Sequence, residues 1–224
     1  MLNKSFFLCF SMIFFIACSS IPSSLGNIAP GPRNVVKAIT DAYFGSNEDI
    51  VTQTLVDNIP YASLKLRIGK GPYGLLILES KNNNIYTWGS ADGVYLQTYQ
   101  GRIIAVQGIT NNLQDFRSNE PNFMELIDIN DTTSFNRYIS LDNPEVLDMK
   151  LTVKTRFLGL KKVQLLNGER NLNLFEEEIS NSYIRWNYVN KYWVDPQDGY
   201  VLKSFQQVAP NVPIFEYEIT KRPQ

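Results

Sequence analysis

The sequence predicts a mainly β fold: an antiparallel meander that closes into a barrel or curls into a half-barrel, with one or two short N-terminal helices in front. Three observations carry that expectation. After Pro60 the apolar residues adopt a period of two and keep it to the end of the chain. Turn formers separate the alternating stretches: Asn82 to Asn84, Asp92-Gly93, Gln100-Gly101, Asn167-Gly168 and Asp198-Gly199. About a dozen such stretches leave sheet edges that closure would remove.

The elements follow in order. MLNKSFFLCFSMIFFIA carries one charge, Lys4, and then an apolar run from Phe6 to Ala17 broken by Ser11. That run is shorter than the roughly 20 apolar residues a membrane-spanning helix needs. It has the form of a signal peptide, residues 1–17. Its end, Phe15-Ile16-Ala17-Cys18, looks like a bacterial lipobox, with cleavage between Ala17 and Cys18 and lipidation of Cys18. Several acyl chains on that cysteine would hold the protein at a membrane almost permanently. Ser19, where an aspartate would retain the protein in the inner membrane, points to the outer membrane, with the domain facing the periplasm. Cys9 leaves with the signal, so no disulfide and no thiol chemistry is expected.

Residues 18–31 read as the lipidated cysteine and a Ser/Pro/Gly tether, and 32–224 as one β-rich domain. In PRNVVKAITDAYFGS, Pro32 suits a first helical turn; Val35, Val36, Ile39, Ala42 and Tyr43 share a face, and Gly45 suits the stop. EDIVTQTLVDNIP predicts a second short helix ended by Pro60. Ala62, Leu64, Leu66 and Ile68 then alternate with polar residues, as a half-buried strand does. Further strands are expected at 73–80, 84–90, 94–100, 102–109, 123–130, 149–157, 161–167, 172–179, 183–190, 200–208 and 214–221.

Composition excludes much. The chain has 21 basic and 22 acidic residues, a net charge of −1 and no basic cluster, which argues against nucleic acid. Histidine is absent, which removes the usual general base and the commonest metal ligand. Gly69-Lys70-Gly71-Pro72-Tyr73-Gly74 spells a dinucleotide fingerprint, but LLILES follows where a helix should open. A tight hairpin or bulge accounts for it. Asp128-Ile129-Asn130 begins like a calcium loop, yet Thr133 and Ile139 occupy the positions of its glycine and terminal glutamate. Glu176, Glu177 and Glu178 read as a solvated strand. No metal and no cofactor is expected.

Aromatic residues are in surplus. Trp88, Trp186 and Trp193 stand in strand-like runs beside Tyr86, Tyr183, Tyr188 and Tyr192. Such rings fill barrel interiors and also stack on sugar rings. Trp88, Asp92, Trp186, Tyr192 and Trp193 are the candidate glycan contacts.

The ordered set Ile59-Pro60-Tyr61-Ala62-Ser63, Arg67 to Pro72, Trp88 to Gly93, Thr98 to Ile103, Gly108 to Leu113, Tyr192 to Pro196 and Ser204 to Gln206, closing with Lys221-Arg222-Pro223, resembles the YjbF/GfcB lipoproteins of exopolysaccharide and group 4 capsule systems. The resemblance runs from the lipobox to the C-terminus. It implies an antiparallel β-barrel-like fold, an outer-membrane lipoprotein, and a role in assembly or export of a surface polysaccharide, with polysaccharide or export proteins as partners. It supplies no catalytic residues. Two other functions fit the sequence: a lipid or lipoprotein carrier with an apolar barrel cavity, and a glycan-cleaving enzyme using carboxylates such as Asp92, Asp195 and Asp198.

Overall fold

The computed structural model describes residues 51–128 and 134–223. Ala17, Cys18, the tether and the helix expected at 32–45 lie outside the described residues, as does the centre of the calcium-like loop. Thr52 opens the first element, α1 (Gln53–Asp57): its Oγ1 accepts the Leu55 N–H at 3.3 Å. This is the second expected helix, ending at the Asn58 cap, two residues short of Pro60.

The strands among the described residues are β1 (Ser63–Ile68), β2 (Tyr73–Asn82), β3 (Ile85–Gly89), β4 (Tyr95–Tyr99), β5 (Arg102–Gln107), β6 (Leu113–Ser118), β7 (Ser134–Asp142), β8 (Glu145–Leu165), β9 (Gly168–Asn181), β10 (Trp186–Val194), β11 (Val201–Gln206) and β12 (Phe215–Lys221). Each pairs antiparallel with its sequence neighbours, and β12 returns to β1 from Ser63↔Lys221 to Ile68↔Phe215. The result is a closed meander barrel, so the fold expectation holds, with full closure rather than a half-barrel. Inward residues fill the interior: Leu64, Trp88, Leu96, Phe175, Tyr192 and Phe215 are all fully buried. Gly69 to Gly74 forms the β1–β2 hairpin turn and the start of β2, with Gly69 at φ +59°.

Four expected strands come out differently. Residues 123–128 form no strand; they belong to a connection whose Glu125–Asp128 is a 3₁₀ turn and whose Phe123 and Leu126 are buried. The stretches 149–157 and 161–167 are one long strand, β8, with a bulge between Phe157 and Leu160. The strand expected at 183–190 is β10, shifted to Trp186–Val194. Two strands went unforeseen. In β7 the inward row Phe135, Arg137, Ile139, Leu141 is interrupted by a charge, and β6 buries only Leu113 fully. Neither shows clean alternation.

Antiparallel order puts the β2–β3, β4–β5, β6–β7, β8–β9 and β10–β11 connections at one end, where the chain also enters β1 and leaves β12. This is the near end. Here the wall is uneven. β5 and β6 share one register pair, Val106↔Leu113, and diverge toward the near end. The cause lies in the β4–β5 hairpin tip, where Gln100 and Gly101 both have positive φ. The Gly101 carbonyl accepts from the Tyr217 hydroxyl at 2.7 Å and from Gln206 Nε2 at 2.9 Å, while the Ile103 N–H donates to Gln206 Oε1 at 3.0 Å. The tip is therefore bonded across the barrel to β11 and β12 instead of to β6.

Candidate functional site

The residues after β6 cross the near end as a strap, Asn119 to Asp128, and a buried charge cluster holds it. Glu120 receives Arg137 in a fork, Nε to Oε1 at 2.9 Å and Nη2 to Oε2 at 2.7 Å. Arg102 Nε lies 3.1 Å from Glu120 Oε2 and 2.7 Å from Glu177 Oε1. Arg137 Nη2 also donates to Glu177 Oε2 at 3.0 Å. The Tyr192 hydroxyl donates to the same oxygen at 2.8 Å, with Gln206 Oε1 3.2 Å away. All four charged side chains are at most 3% exposed. Two cations and two anions make the cluster neutral, which is what permits its burial. Arg102 also lies over the Phe123 ring at 4.1 Å, so the strap is fastened by charge and by packing.

The electrostatics follow from those contacts. Burial by itself would raise the Glu120 carboxyl, but the Arg137 and Arg102 guanidinium groups outweigh it and draw it down to about 2. Burial would lower both guanidinium groups, and the Glu177 and Glu120 carboxylates outweigh that and raise them. Burial, and then the Glu177 carboxylate, push the Tyr192 hydroxyl well up. Near neutral pH the Glu120 carboxylate, the two guanidinium groups and the Tyr192 hydroxyl therefore neither give nor take a proton.

Because the folded Glu120 sits below its ordinary 4.5, its stabilising contribution is complete above pH 4.5 and is lost as the pH falls toward 2. A shift of that size corresponds to roughly 3 kcal/mol. Glu120→Gln should therefore be less stable than wild type by an amount of that order at pH 6, with the gap narrowing to about 1 kcal/mol or less by pH 2.5. Urea unfolding across that range checks it. A gap independent of pH would mean that Glu120 acts by shape rather than by charge.

Beside the strap, between it and the β10–β11 turn, lies a cleft of about 410 Å³. Its rings are Tyr86, Phe123, Tyr200 and Tyr217, and its polar groups include Asn84, Gln100, Asn122 and Asp198. Tyr86 and Tyr200 meet edge to face at 6.1 Å and 89°, forming a corner. Burial, reinforced by Tyr217 and Tyr86, pushes the Tyr200 hydroxyl far up, and burial does the same to Tyr217. Both stay neutral donors and acceptors. Arg222 ties Asp198 (2.7 Å) and Asp195 (2.6 Å) to the end of the chain and lies over Tyr200. Flat rings with neutral hydroxyls and amides at their edges suit a ligand with apolar faces and hydroxyl rims.

The five expected glycan contacts do not come together. Trp88 is fully buried behind this cleft, stacked on Tyr86 at 6.1 Å, with its indole N–H donating to Thr98 Oγ1 at 3.1 Å. Tyr192 is buried in the charge cluster. Asp92 is exposed in the β3–β4 turn at the far end, where it accepts from Ser90 Oγ. Trp186 opens β10 at the far end. Trp193 packs on Phe205 with the Lys203 ammonium 5.9 Å above it, on the outer face. The acidic triplet is likewise divided. Glu177 is buried, whereas Glu176 pairs with Arg156 and Lys191 on the outside. Sequence reasoning missed Arg102, Glu120, Arg137, Gln206, Tyr200 and Tyr217. The one available signal was a charge standing in the inward register of an otherwise apolar strand, as Arg137 does. Among the described residues no group of three or more acidic, His or Cys side chains could hold a metal ion.

The model of the family described as group 4 capsule polysaccharide lipoprotein gfcB, YjbF matches residues 36–219. The lipoprotein GfcB of Escherichia coli strain K12 is 24% identical over 183 residues, covering 80% of this chain and 85% of GfcB. The lipoprotein YjbF of the same strain is 24% identical over 195 residues, covering 86% of each chain. The crystal structure of the hypothetical lipoprotein YmcC from Escherichia coli K12 superposes with a TM-score of 0.69 at 22% identity, over 88% of this chain and 100% of that one, a likeness of fold.

Proposed function

Because the chain belongs to the YjbF family of group 4 capsule polysaccharide lipoproteins, we propose that it binds polysaccharide, without cleaving it, during capsule or exopolysaccharide assembly or export. It does so as a lipoprotein anchored through Cys18 at the outer membrane and facing the periplasm. The near-end cleft supports this reading, with its corner of tyrosines and its rim of amides. A barrel interior filled with side chains favours a surface cleft over an internal lipid cavity. Asp195 and Asp198 are engaged by Arg222, and Glu120 and Glu177 by two arginines, which favours binding over carboxylate catalysis.

The test is a titration of the full-length chain in detergent with the host's purified exopolysaccharide, followed by tryptophan fluorescence. Trp88, stacked on Tyr86, reports on the cleft from behind. A saturable change is expected, weakened about tenfold by Tyr200→Ala, the ~1.4 kcal/mol of one aromatic contact, and untouched by Tyr61→Ala at an exposed site elsewhere. A flat titration would end the glycan reading and move the search to protein components of the export apparatus.

A further inference from the structure

The diverging seam between β5 and β6 adjoins the glycan cleft, sharing Gln100 and the strap with it, but is otherwise lined by different residues. β5 is paired along one edge to β4 and β6 along one edge to β7. Facing each other, they share the single pair Val106↔Leu113. The Ile103 N–H is taken by Gln206, but the rest of the two facing edges, from Ile104 to Ala105 and from Gln114 to Ser118, has no ladder partner across the seam. A cleft of about 350 Å³ occupies this gap, lined by Ile104 and Phe116 with Ile85 and Tyr99, and with Arg117 and Ser118 from β6. Arg102 lines it too, and its Nη2 is buried with no hydrogen-bond partner.

We propose that the seam is a strand-acceptor site, in which an extended polypeptide segment of a partner protein inserts between β5 and β6. Free strand edges bind extended backbone by completing the ladder, while pockets between them select alternate side chains. Five residues of β6 offer about 17 Å of edge at strand spacing. The apolar wall of Ile104, Phe116, Ile85 and Tyr99 fits a segment with an apolar side chain at every second position. Arg102 Nη2 supplies a donor for one of its carbonyl oxygens. Unpaired edges invite self-association unless charged, and Asp115 and Arg117 sit on β6, both exposed. The strands of a second copy are committed to that copy's own closed barrel, which favours a free extended segment of a partner over a second copy of this chain. The gap is held open by the fold itself, because Gln206 and Tyr217 keep the β4–β5 tip across the barrel.

The experiment pans the full-length chain in detergent against a phage library of random dodecapeptides and follows backbone amide exchange by NMR. In the free chain the seam-facing amides between Asp115 and Ser118 should exchange quickly. Enriched peptides should lack proline, alternate apolar and polar residues, bind in the micromolar range and slow that exchange. Ile104→Lys should weaken binding at least tenfold with an unchanged circular dichroism spectrum, and Tyr99→Ala, on the same cleft, provides a second variant. Tyr200→Ala should leave peptide binding intact, which separates this site from the glycan cleft. The proposal fails if the seam amides are already protected in the free chain, if no peptide is enriched, or if bound peptides leave the seam exchange unchanged.

Discussion

Replacing Glu177 by Gln should lower the unfolding free energy by about 3–5 kcal/mol, the cost of removing one partner from a buried ion pair. The side chain is fully buried and answers three donors: Arg102 Nε at 2.7 Å, Arg137 Nη2 at 3.0 Å and the Tyr192 hydroxyl at 2.8 Å. Without its charge, two buried guanidinium groups face one carboxylate, and the amide turns donor hydrogens toward groups that are themselves donors. The built-in control is the next residue. Glu178 is exposed on the other face of β9, and Glu178→Gln should change stability by less than about 0.5 kcal/mol. Guanidinium chloride unfolding of both variants decides it. Equal effects would mean that the cluster is not what secures the strap. The strap lines both clefts, through Phe123 on one side and Glu120 on the other, so Glu177→Gln should also weaken whichever ligands they take.

Gly101→Ala is expected to cost a further large sum, about 3–4 kcal/mol, from two separable sources. A φ of +79° is strained for any residue with a Cβ, at about 1 kcal/mol or more. The larger source is contact: that Cβ would lie 2.1 Å from Val201 Cγ2, so the hairpin tip must retreat and loosen its bonds to Gln206 and Tyr217. Gly93→Ala isolates the first source, since its φ is +85° and its Cβ would meet nothing within 4 Å. It should cost only about 1 kcal/mol. Adding Val201→Ala to Gly101→Ala should recover part of the difference. If Gly93→Ala and Gly101→Ala prove equally costly, the close packing of the tip on β11 contributes nothing.

How much of this was written in the chain can be judged residue by residue. Alternation from Leu64 to Leu66 and across 73–80 and 214–221, with Asp92-Gly93 and Gln100-Gly101 between strands, announces an antiparallel all-β chain, because period and turn chemistry are local. Strict sequential pairing then leaves a meander as the simple topology. What stayed hidden is non-local. Arg137 interrupts the apolar row of its strand and drew no expectation, and Glu177 reads as the middle of a solvated run. Each is buried only because the fold brings it a counter-charge: Arg102 comes to Glu177 from 75 residues away and Arg137 from 40. The same holds for the rings. The sequence leaves Trp88 and Tyr192 as either core fillers or flat surfaces for a sugar, and barrel closure turned both inward and left Tyr86 and Tyr200 to form the cleft wall.

The sequence by itself determined the strands' period, most of the turns and the family. The tertiary structure alone decided which charges are buried, which aromatics are reachable and where the barrel wall opens. Periodicity depends on neighbours along the chain, whereas burial, charge compensation and edge pairing depend on neighbours across it.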